Sequence, residues 1–212
     1  MKKKVLMGLV LLTIAGASMV FAQTDKLTFT VRDGAATVKA KDKGISGNVV
    51  IPASYQGNPV LYIASSGFSG CTQIKSVTIP ESIKVIPGNA FNGCRALDTV
   101  AIHKYIREIG GGAFQNCSSL DKIQNADIGA ETRKIGSSAF AGTSLDRVWI
   151  RSNVSEIGGS AFNTARMQLV NFEAAGVKFN NTSFPNGKSL QDAYAAGGRG
   201  RYKLEGKTWI KE

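Results

Sequence analysis

The chain has 212 residues and a formal net charge of +11, from 26 lysines and arginines against 15 aspartates and glutamates. Its three cysteines are an odd number, which argues against a disulfide framework. A basic surplus of this size serves solubility or attracts an acidic partner, such as an anionic glycan, a lipid headgroup or nucleic acid.

The N-terminus has the layout of a secretory signal peptide over residues 1–22. Lys2, Lys3 and Lys4 precede an apolar run, and Val20-Phe21-Ala22 predicts cleavage after Ala22. Removing the three lysines lowers the net charge from +11 to +8. The apolar run is short for a membrane span and nothing similar follows it, so no transmembrane segment is expected in the mature chain. The predicted location is therefore secreted, cell-surface or periplasmic.

A β-hairpin is predicted next, inside an N-terminal cap over residues 23–44. Leu27, Phe29 and Val31 alternate with polar residues, and Asp33-Gly34 supplies the turn before a returning strand. Such a hairpin would cover the first turn of whatever repeats after it.

A repeated block dominates residues 45–175. Blocks such as "SGFSGC", "GNAFNGC" and "GGAFQNC" carry a phenylalanine, followed in three of five blocks by a cysteine three residues later. The phenylalanines are spaced by 23, 23, 26 and 22 residues, and with their cysteines they are Phe68, Phe91, Phe114, Phe140, Phe162, Cys71, Cys94 and Cys117. Units of 20–29 residues with apolar positions in register predict a mainly β solenoid of about five to six turns.

Each unit contains a short strand and a return segment. In "LDTVAI", Val100 and Ile102 alternate inward, and we expect the same strand of successive turns to form a parallel sheet. The return segment "IREIGGGAF" contains glycines that suit tight corners with positive φ.

The repetition of phenylalanine and cysteine indicates packing rather than chemistry. A large side chain fills one corner of every turn, and a small side chain fills a buried slot beside it. Thr143 and Ala165 stand near the cysteine position in the fourth and fifth units. Neighbouring cysteines would lie about one strand spacing apart, so a bridge between two of them stays open as an alternative to buried thiols.

The pattern "IG..AF.GC..L..V.IP" resembles the BspA-type leucine-rich repeat of bacterial surface and secreted proteins, and the tail resembles the ending of treponemal members. The resemblance implies a right-handed leucine-rich-repeat coil, buried thiols, and a role in adhesion to host extracellular matrix or in bacterial coaggregation. His103 and Lys104 depart from the pattern, and the third unit has a longer connection.

Residues 176–212 break the repeat and are predicted to form a C-terminal α/β cap. "SLQDAYAAGG" predicts a short helix with Ser189 as N-cap and Gly197 as stop, and "RYKLEGKTWIKE" predicts a hairpin. The tail is also basic, and with Trp209 nearby it offers charge and stacking to an anionic polymer.

Few residues suggest catalysis. A Ser-His-Asp or Cys-His site would have to use His103, the single histidine, which alternation places on the outer face of a strand. Neither a metal-ligand cluster nor a phosphate loop stands out, so we expect no enzyme activity, no metal and no cofactor.

The exposed sheet is the predicted binding surface. Trp149 between two arginines is its most distinctive part, because tryptophan and arginine are frequent interface hot spots. The candidate residues are Thr99, His103, Lys122, Gln124, Arg147, Trp149 and Arg151. The sequence thus favours a non-enzymatic exported binding protein with an extracellular-matrix or bacterial-envelope protein as partner. A periplasmic scaffold and a binder of acidic glycan are the alternatives, and nucleic acid is disfavoured as a ligand.

Overall fold

The computed structural model describes residues 24–124, 128 and 130–212. The predicted signal peptide lies outside these residues. After a short 3₁₀ helix at Thr24–Lys26, the structure is mainly β with one α-helix near the C-terminus, α1 (Gly187–Gly197). In chain order the strands are β1 (Leu27–Arg32), β2 (Ala35–Ala40), β3 (Ser46–Val50), β4 (Ser54–Tyr55), β5 (Asn58–Ile63), β6 (Gln73–Thr78), β7 (Val85–Ile86), β8 (Thr99–Ala101), β9 (Glu108–Ile109), β10 (Lys122–Gln124), β11 (Lys134–Ile135), β12 (Arg147–Ile150), β13 (Glu156–Ile157), β14 (Leu169–Phe172), β15 (Lys178–Phe179), β16 (Gly200–Glu205) and β17 (Thr208–Lys211).

Two parallel sheets run along the coil on opposite sides of each unit. The front sheet contains β3, β6, β8 and β10, and the rear sheet contains β7, β9, β11, β13 and β15. Registers agree from turn to turn, with Val77 opposite Val100 and Val100 opposite Ile123 in the front sheet. The predicted mainly β solenoid with parallel strands is therefore confirmed.

The five predicted phenylalanines form one buried column. Successive ring centroids lie 5.1–5.4 Å apart with planes within 18° of parallel, and all five rings are fully buried. Phe184, which the sequence pattern missed, stacks on Phe162 as a sixth member at 5.0 Å. Phe184 follows β15, which pairs with β13, so stacking continues beyond residue 175, where the repeat pattern breaks.

The three cysteines are free and buried, and they serve as polar links between turns. The thiols of Cys94 and Cys117 donate to the carbonyls of Phe68 and Phe91 at 3.1 Å, one turn earlier in each case. Burial raises the pKa of Cys71 to about 11, and a hydrogen bond with Cys117, together with burial, raises the pKa of Cys94. Thiols held in this protonated form are poor nucleophiles.

Threonines stand near this slot in the fourth and fifth units, where Thr143 bonds within its own unit and Thr164 links two turns. The Thr143 hydroxyl donates to the Phe140 carbonyl at 2.7 Å, as the sequence position suggested. In the fifth unit the buried residue is Thr164, which donates to the Leu145 carbonyl at 2.9 Å, whereas Ala165 is exposed. The expectation for Ala165 was therefore wrong by one residue. The buried Thr164 hydroxyl also accepts from the Met167 amide at 3.1 Å, a pair of hydrogen bonds that an alanine side chain cannot make.

Two glycines of the return segment are required for different structural reasons. Gly112 has φ +63°, as expected for a tight corner. Gly110 is needed for another reason: a Cβ there would lie 2.6 Å from the backbone nitrogen of Gly88 in the previous turn. Positive φ was thus the wrong explanation for Gly110, where the constraint is close approach of two backbones.

The two ends are closed by β-structure of different kinds. At the N-terminus the β1–β2 hairpin attaches through parallel pairing of β2 with β5, and Phe29 stacks on Tyr55 at 4.1 Å. At the C-terminus β16 pairs antiparallel with β14, and β17 pairs with β16. The division of the chain at residues 22, 44 and 175 stays a prediction.

The C-terminal helix and its tryptophan differ from expectation. The residue before α1 is Asn186, in a left-handed conformation, so Ser189 is not the N-cap. The Ser189 hydroxyl instead accepts a hydrogen bond from the backbone of Trp209 at 2.8 Å. Trp209 is buried and its indole N–H donates to the Pro185 carbonyl, so this ring is not available for stacking on a polymer.

Among the described strands, the front sheet is interrupted between β10 and β12. β10 ends the front sheet, and β12 begins a separate sheet with β14, β16 and β17, here called the C-terminal sheet. The sequence predicted pairing between the strands of every pair of successive turns. That prediction was wrong between the third and fourth turns.

Replacing Phe114 by alanine should lower the free energy of unfolding by about 3–5 kcal/mol, because it removes a buried ring with neighbours on both faces. Urea denaturation followed by circular dichroism measures the change. Val85→Ala, at a partly exposed position on the rear sheet, is the control and should change stability little. A Phe114→Ala chain as stable as the parent would contradict the stacked core.

Gly110→Ala should cost about 1–3 kcal/mol, the range for overpacking, since its Cβ would press on the backbone of the preceding turn. Gly111→Ala is a matched control next door, where the added Cβ would lie 3.3 Å from the Ser137 carbonyl oxygen. Thermal denaturation of both variants should rank Gly110→Ala as clearly the less stable. The opposite ranking would show that close approach is not the constraint at Gly110.

Candidate binding recess in the front face

The interruption between β10 and β12 follows from irregular unit lengths. Leu97 and Ile109 are 12 residues apart, whereas the equivalent Leu120 and Ile135 are 15 apart, so the third unit has three extra residues after its strand. The fourth unit lacks one residue before its strand, because Leu145 follows Phe140 by five positions and Leu120 follows Phe114 by six. The segments that connect β10 and β12 to the rest of their units therefore differ in length from those of the regular turns.

A backbone hydrogen bond shows that the fourth strand is shifted along the third. In the two earlier turns, the amides of Ala96 and Ser119 bond to the carbonyls of Thr72 and Arg95, each two residues before the apolar residue that opens the strand. The Ser144 amide bonds instead to the carbonyl of Leu120, which is that apolar residue itself, at 2.9 Å. The start of the fourth strand is thus displaced by two residues along the third.

Charge also opposes pairing of these two strands. The repeat places Lys122 and Arg147 at equivalent outward positions, and like charges directly opposite each other destabilise a sheet. The rear sheet shows the opposite arrangement, because Lys134 lies opposite both Glu108 and Glu156 and its Nζ is 3.2 Å from Glu156 Oε1.

The interruption opens a cavity of about 440 Å³, which we call the recess. Its apolar floor includes Ile123, which is half-buried although its equivalents Val100 and Val148 are fully buried. The lining residues are Asp121, Lys122, Ile123, Ser144, Leu145, Asp146, Arg147, Val148, Trp149 and Arg166. A volume of this size lies within the range of ligand pockets.

The charges around the recess are only partly balanced. Arg147 donates to both carboxylate oxygens of Asp146, each at 3.0 Å. These bonds, with the nearby charges of Arg147 and Arg166, hold the pKa of Asp146 below its usual value. Lys122 and Arg166 are exposed, and neither has a carboxylate partner within the described residues. With the exposed carboxylate of Asp121 also in the lining, the charged side chains of the recess carry a net charge of +1.

The structure brings together three of the seven predicted binding residues. Lys122, Arg147 and half-buried Trp149 line the recess. Arg151 lies outside it and pairs with Glu173, with Nη1 to Oε1 at 2.6 Å. Thr99 lies beside Lys122 in the front sheet, and the side chain of Gln124 is outside the described structure.

Four recess residues were missed by sequence reasoning: Asp121, Ser144, Asp146 and Arg166. Alternation along one strand names the residues on its outer face, but these four precede the strands or come from the next unit. The irregular spacing of 26 and 22 residues was the available signal, since it marks where neighbouring turns differ in length.

His103 is a structural residue of the front face. Its Nδ1 accepts from the Tyr105 amide at 3.3 Å, which leaves Nε2 to donate to the Pro80 carbonyl at 3.0 Å. Burial, together with the positive charge of Lys84, outweighs that carbonyl and lowers the pKa of His103. The imidazole is thus held neutral between two backbone segments of adjacent turns.

Other chemistry is not apparent in the described part of the chain. Residues 24–124, 128 and 130–212 contain no group of three or more His, Cys, Asp or Glu side chains placed to hold a metal ion. Within the same residues, no helix has the length and hydropathy needed to span a membrane.

The lowered pKa of His103 predicts a pH-dependent stability. The folded-state pKa lies below the ordinary value of 6.5, so as pH falls through about 6.5 the unfolded chain takes up the proton first and the fold loses stability. His103→Gln should therefore show a smaller fall in denaturation midpoint between pH 7.5 and pH 5 than the parent. Carboxylates titrate alike in both chains, so parallel pH curves would show that His103 does not carry the effect.

Comparison with known proteins agrees with this architecture. The family model of the BspA-type leucine-rich repeat region, in six copies, matches residues 61–191. A leucine-rich repeat protein of T. pallidum shares 28% sequence identity at a TM-score of 0.59, over 66% of this chain and 67% of that one. No curated protein gives a significant match.

Two further solved structures show the same fold at lower identity. A leucine-rich repeat protein from Bacteroides ovatus is 23% identical at a TM-score of 0.58, over 72% of this chain and 44% of that one. The pneumococcal vaccine antigen PcpA is 21% identical at a TM-score of 0.51, over 70% and 49%. The chain thus spans less than half of each of these two proteins. With the family model matched over more than half of its length, this chain belongs to the BspA-type leucine-rich repeat family.

Proposed function

We propose that this chain is an exported, non-enzymatic binding protein that engages a partner protein through its front face, with Trp149 as the main contact. The observation that carries the proposal is the recess, where a half-buried tryptophan and unpaired cations meet an opening in an otherwise regular solenoid. Repeat solenoids commonly bind through such extended faces. Membership of the BspA-type family supports adhesion or another protein interaction as the biological role.

The candidate partners are extracellular-matrix proteins and bacterial envelope proteins. An acidic segment fits the front face best, since Lys122 and Arg166 are left without carboxylate partners in the described structure. An aromatic side chain beside unpaired cations is also the composition of many binding hot spots. A location outside the cytoplasm rests on the predicted signal peptide.

Trp149→Ala should reduce binding to purified matrix or envelope proteins by at least about tenfold, as expected for a hot-spot tryptophan. Binding of the chain without residues 1–22 is measured by surface plasmon resonance at several salt concentrations. Tyr62→Ala is the matched control, because Tyr62 is a more exposed aromatic residue, 57% accessible, on β5 away from the recess.

The outcomes separate binding of a protein from binding of an acidic glycan. Loss of binding for Trp149→Ala with retention for Tyr62→Ala supports the proposal. Saturable binding to heparin with none to proteins would favour the acidic-glycan role. Absence of saturable binding to every matrix and envelope protein would contradict an adhesive function.

A further inference from the structure

We infer that the recess binds an extended, acidic peptide segment of a partner protein by strand addition to the free edge of β12. This inference rests on the proposed function and names the part of the partner that is recognised. Three features of the recess carry it: a free strand edge, an apolar floor and a cationic rim.

The free edge follows from the register of β12 with β14. Arg147 lies opposite Leu169, and the Leu169 amide bonds to the carbonyl of Asp146. Because alternate residues of a strand direct their backbone groups to opposite sides, Arg147 and Trp149 direct their N–H and C=O groups away from β14 and toward the recess. β12 is the outer strand of the C-terminal sheet on that side, with no paired strand in the described structure. Such an edge is a template for another strand.

The floor and the rim set the side-chain pattern of the ligand. A strand beside β12 would direct alternate side chains toward half-buried Ile123 and the others toward solvent, near Lys122 and Arg166. The first set is then apolar and the second acidic. The Asp146–Arg147 pair balances its own charge, and Asp121 offsets one of the two remaining cations. The recess keeps a net charge of +1, which favours aspartate or glutamate.

Hydrogen bonds and ring stacking between described residues fix the end and the rear of the recess. Ser144 ties its closed end, through its amide to Leu120 and through its hydroxyl to the Ser118 carbonyl at 2.7 Å. Behind it, Phe114 and Phe140 stay stacked at 5.3 Å, and the rear sheet continues from β9 to β11 without interruption. A preformed site loses little conformational entropy when a ligand binds.

The test uses a capped peptide of about nine residues that alternates aspartate with valine. Two matched peptides carry lysine in place of aspartate, or N-methyl groups on alternate residues that block backbone hydrogen bonds. Titration calorimetry with the chain lacking residues 1–22 should give saturable binding of the acidic peptide. N-methylation should weaken binding by at least about 30-fold, since two or more hydrogen bonds of about 1 kcal/mol are lost.

Charge reversal at the rim tests the site itself. Lys122→Glu with Arg166→Glu should weaken the acidic peptide at least about tenfold and strengthen the lysine peptide, because opposite charges now face the ligand. Lys39→Glu with Lys207→Glu makes the same change in net charge on the two caps and should have little effect. All four side chains are exposed, and an unchanged melting temperature confirms that both variants fold.

Several results would overturn the inference. These are no saturable binding of the acidic peptide, equal binding of the N-methylated peptide, and equal losses for the rim and cap variants. Self-association of the chain that the acidic peptide displaces, and that the rim variant abolishes, would assign the recess to a second copy instead of a partner protein. If the acidic peptide does not bind while Trp149→Ala still weakens binding to matrix protein, strand addition is contradicted and the proposed function is supported. If the parent binds no protein at all, the proposed function falls.

Discussion

The stacking of one phenylalanine per turn is the contact on which the whole solenoid depends. Each ring covers the face of the next, and a single unit has nothing else large enough to close its corner. The backbone adds a second link at the same corner. The amide of each of the five predicted phenylalanines donates to the carbonyl of the residue before the next phenylalanine, at 2.8 Å in every case. The series runs from Phe68 bonding to Ala90 to Phe162 bonding to Ser183. This corner keeps one geometry although the units vary from 22 to 26 residues.

A fixed corner forces differences in unit length to appear elsewhere. The rear strands also keep their register across the irregular unit, with Ile109 opposite Ile135 and Ile135 opposite Ile157. Within the described residues, the difference in unit length therefore appears at the front, where β10 and β12 are not paired. In this fold a recess can form without weakening the core, since the rear sheet and the phenylalanine column carry the contacts between turns.

The sequence was sufficient to predict the features that recur in every turn, but not those that arise where the unit length changes. Periodic phenylalanines, cysteines and inward strand residues predicted the column, the thiol slots and the sheet face, because each residue type has one packing role per turn. Phe184 was missed since its unit carries no glycine-rich corner before it. The role of Gly110 was misassigned because a close backbone approach between turns leaves no local signature. The recess was missed because spacing reveals that turns differ, whereas coordinates are needed to show which side of the coil absorbs the difference.

The total charge of the chain is a poor guide to what it binds. The +8 expected for the mature chain suggested a general attraction to polyanions, yet two arginines of the predicted surface are paired, Arg147 with Asp146 and Arg151 with Glu173. Surface pairs of this kind contribute little electric field beyond a Debye length of about 10 Å at 0.1 M salt. What remains at the recess is a pair of cations beside an apolar floor and a strand edge. A flexible polyanion gains nothing from the last two features, whereas a peptide strand uses all three, and this difference favours a protein segment over a glycan as the natural ligand.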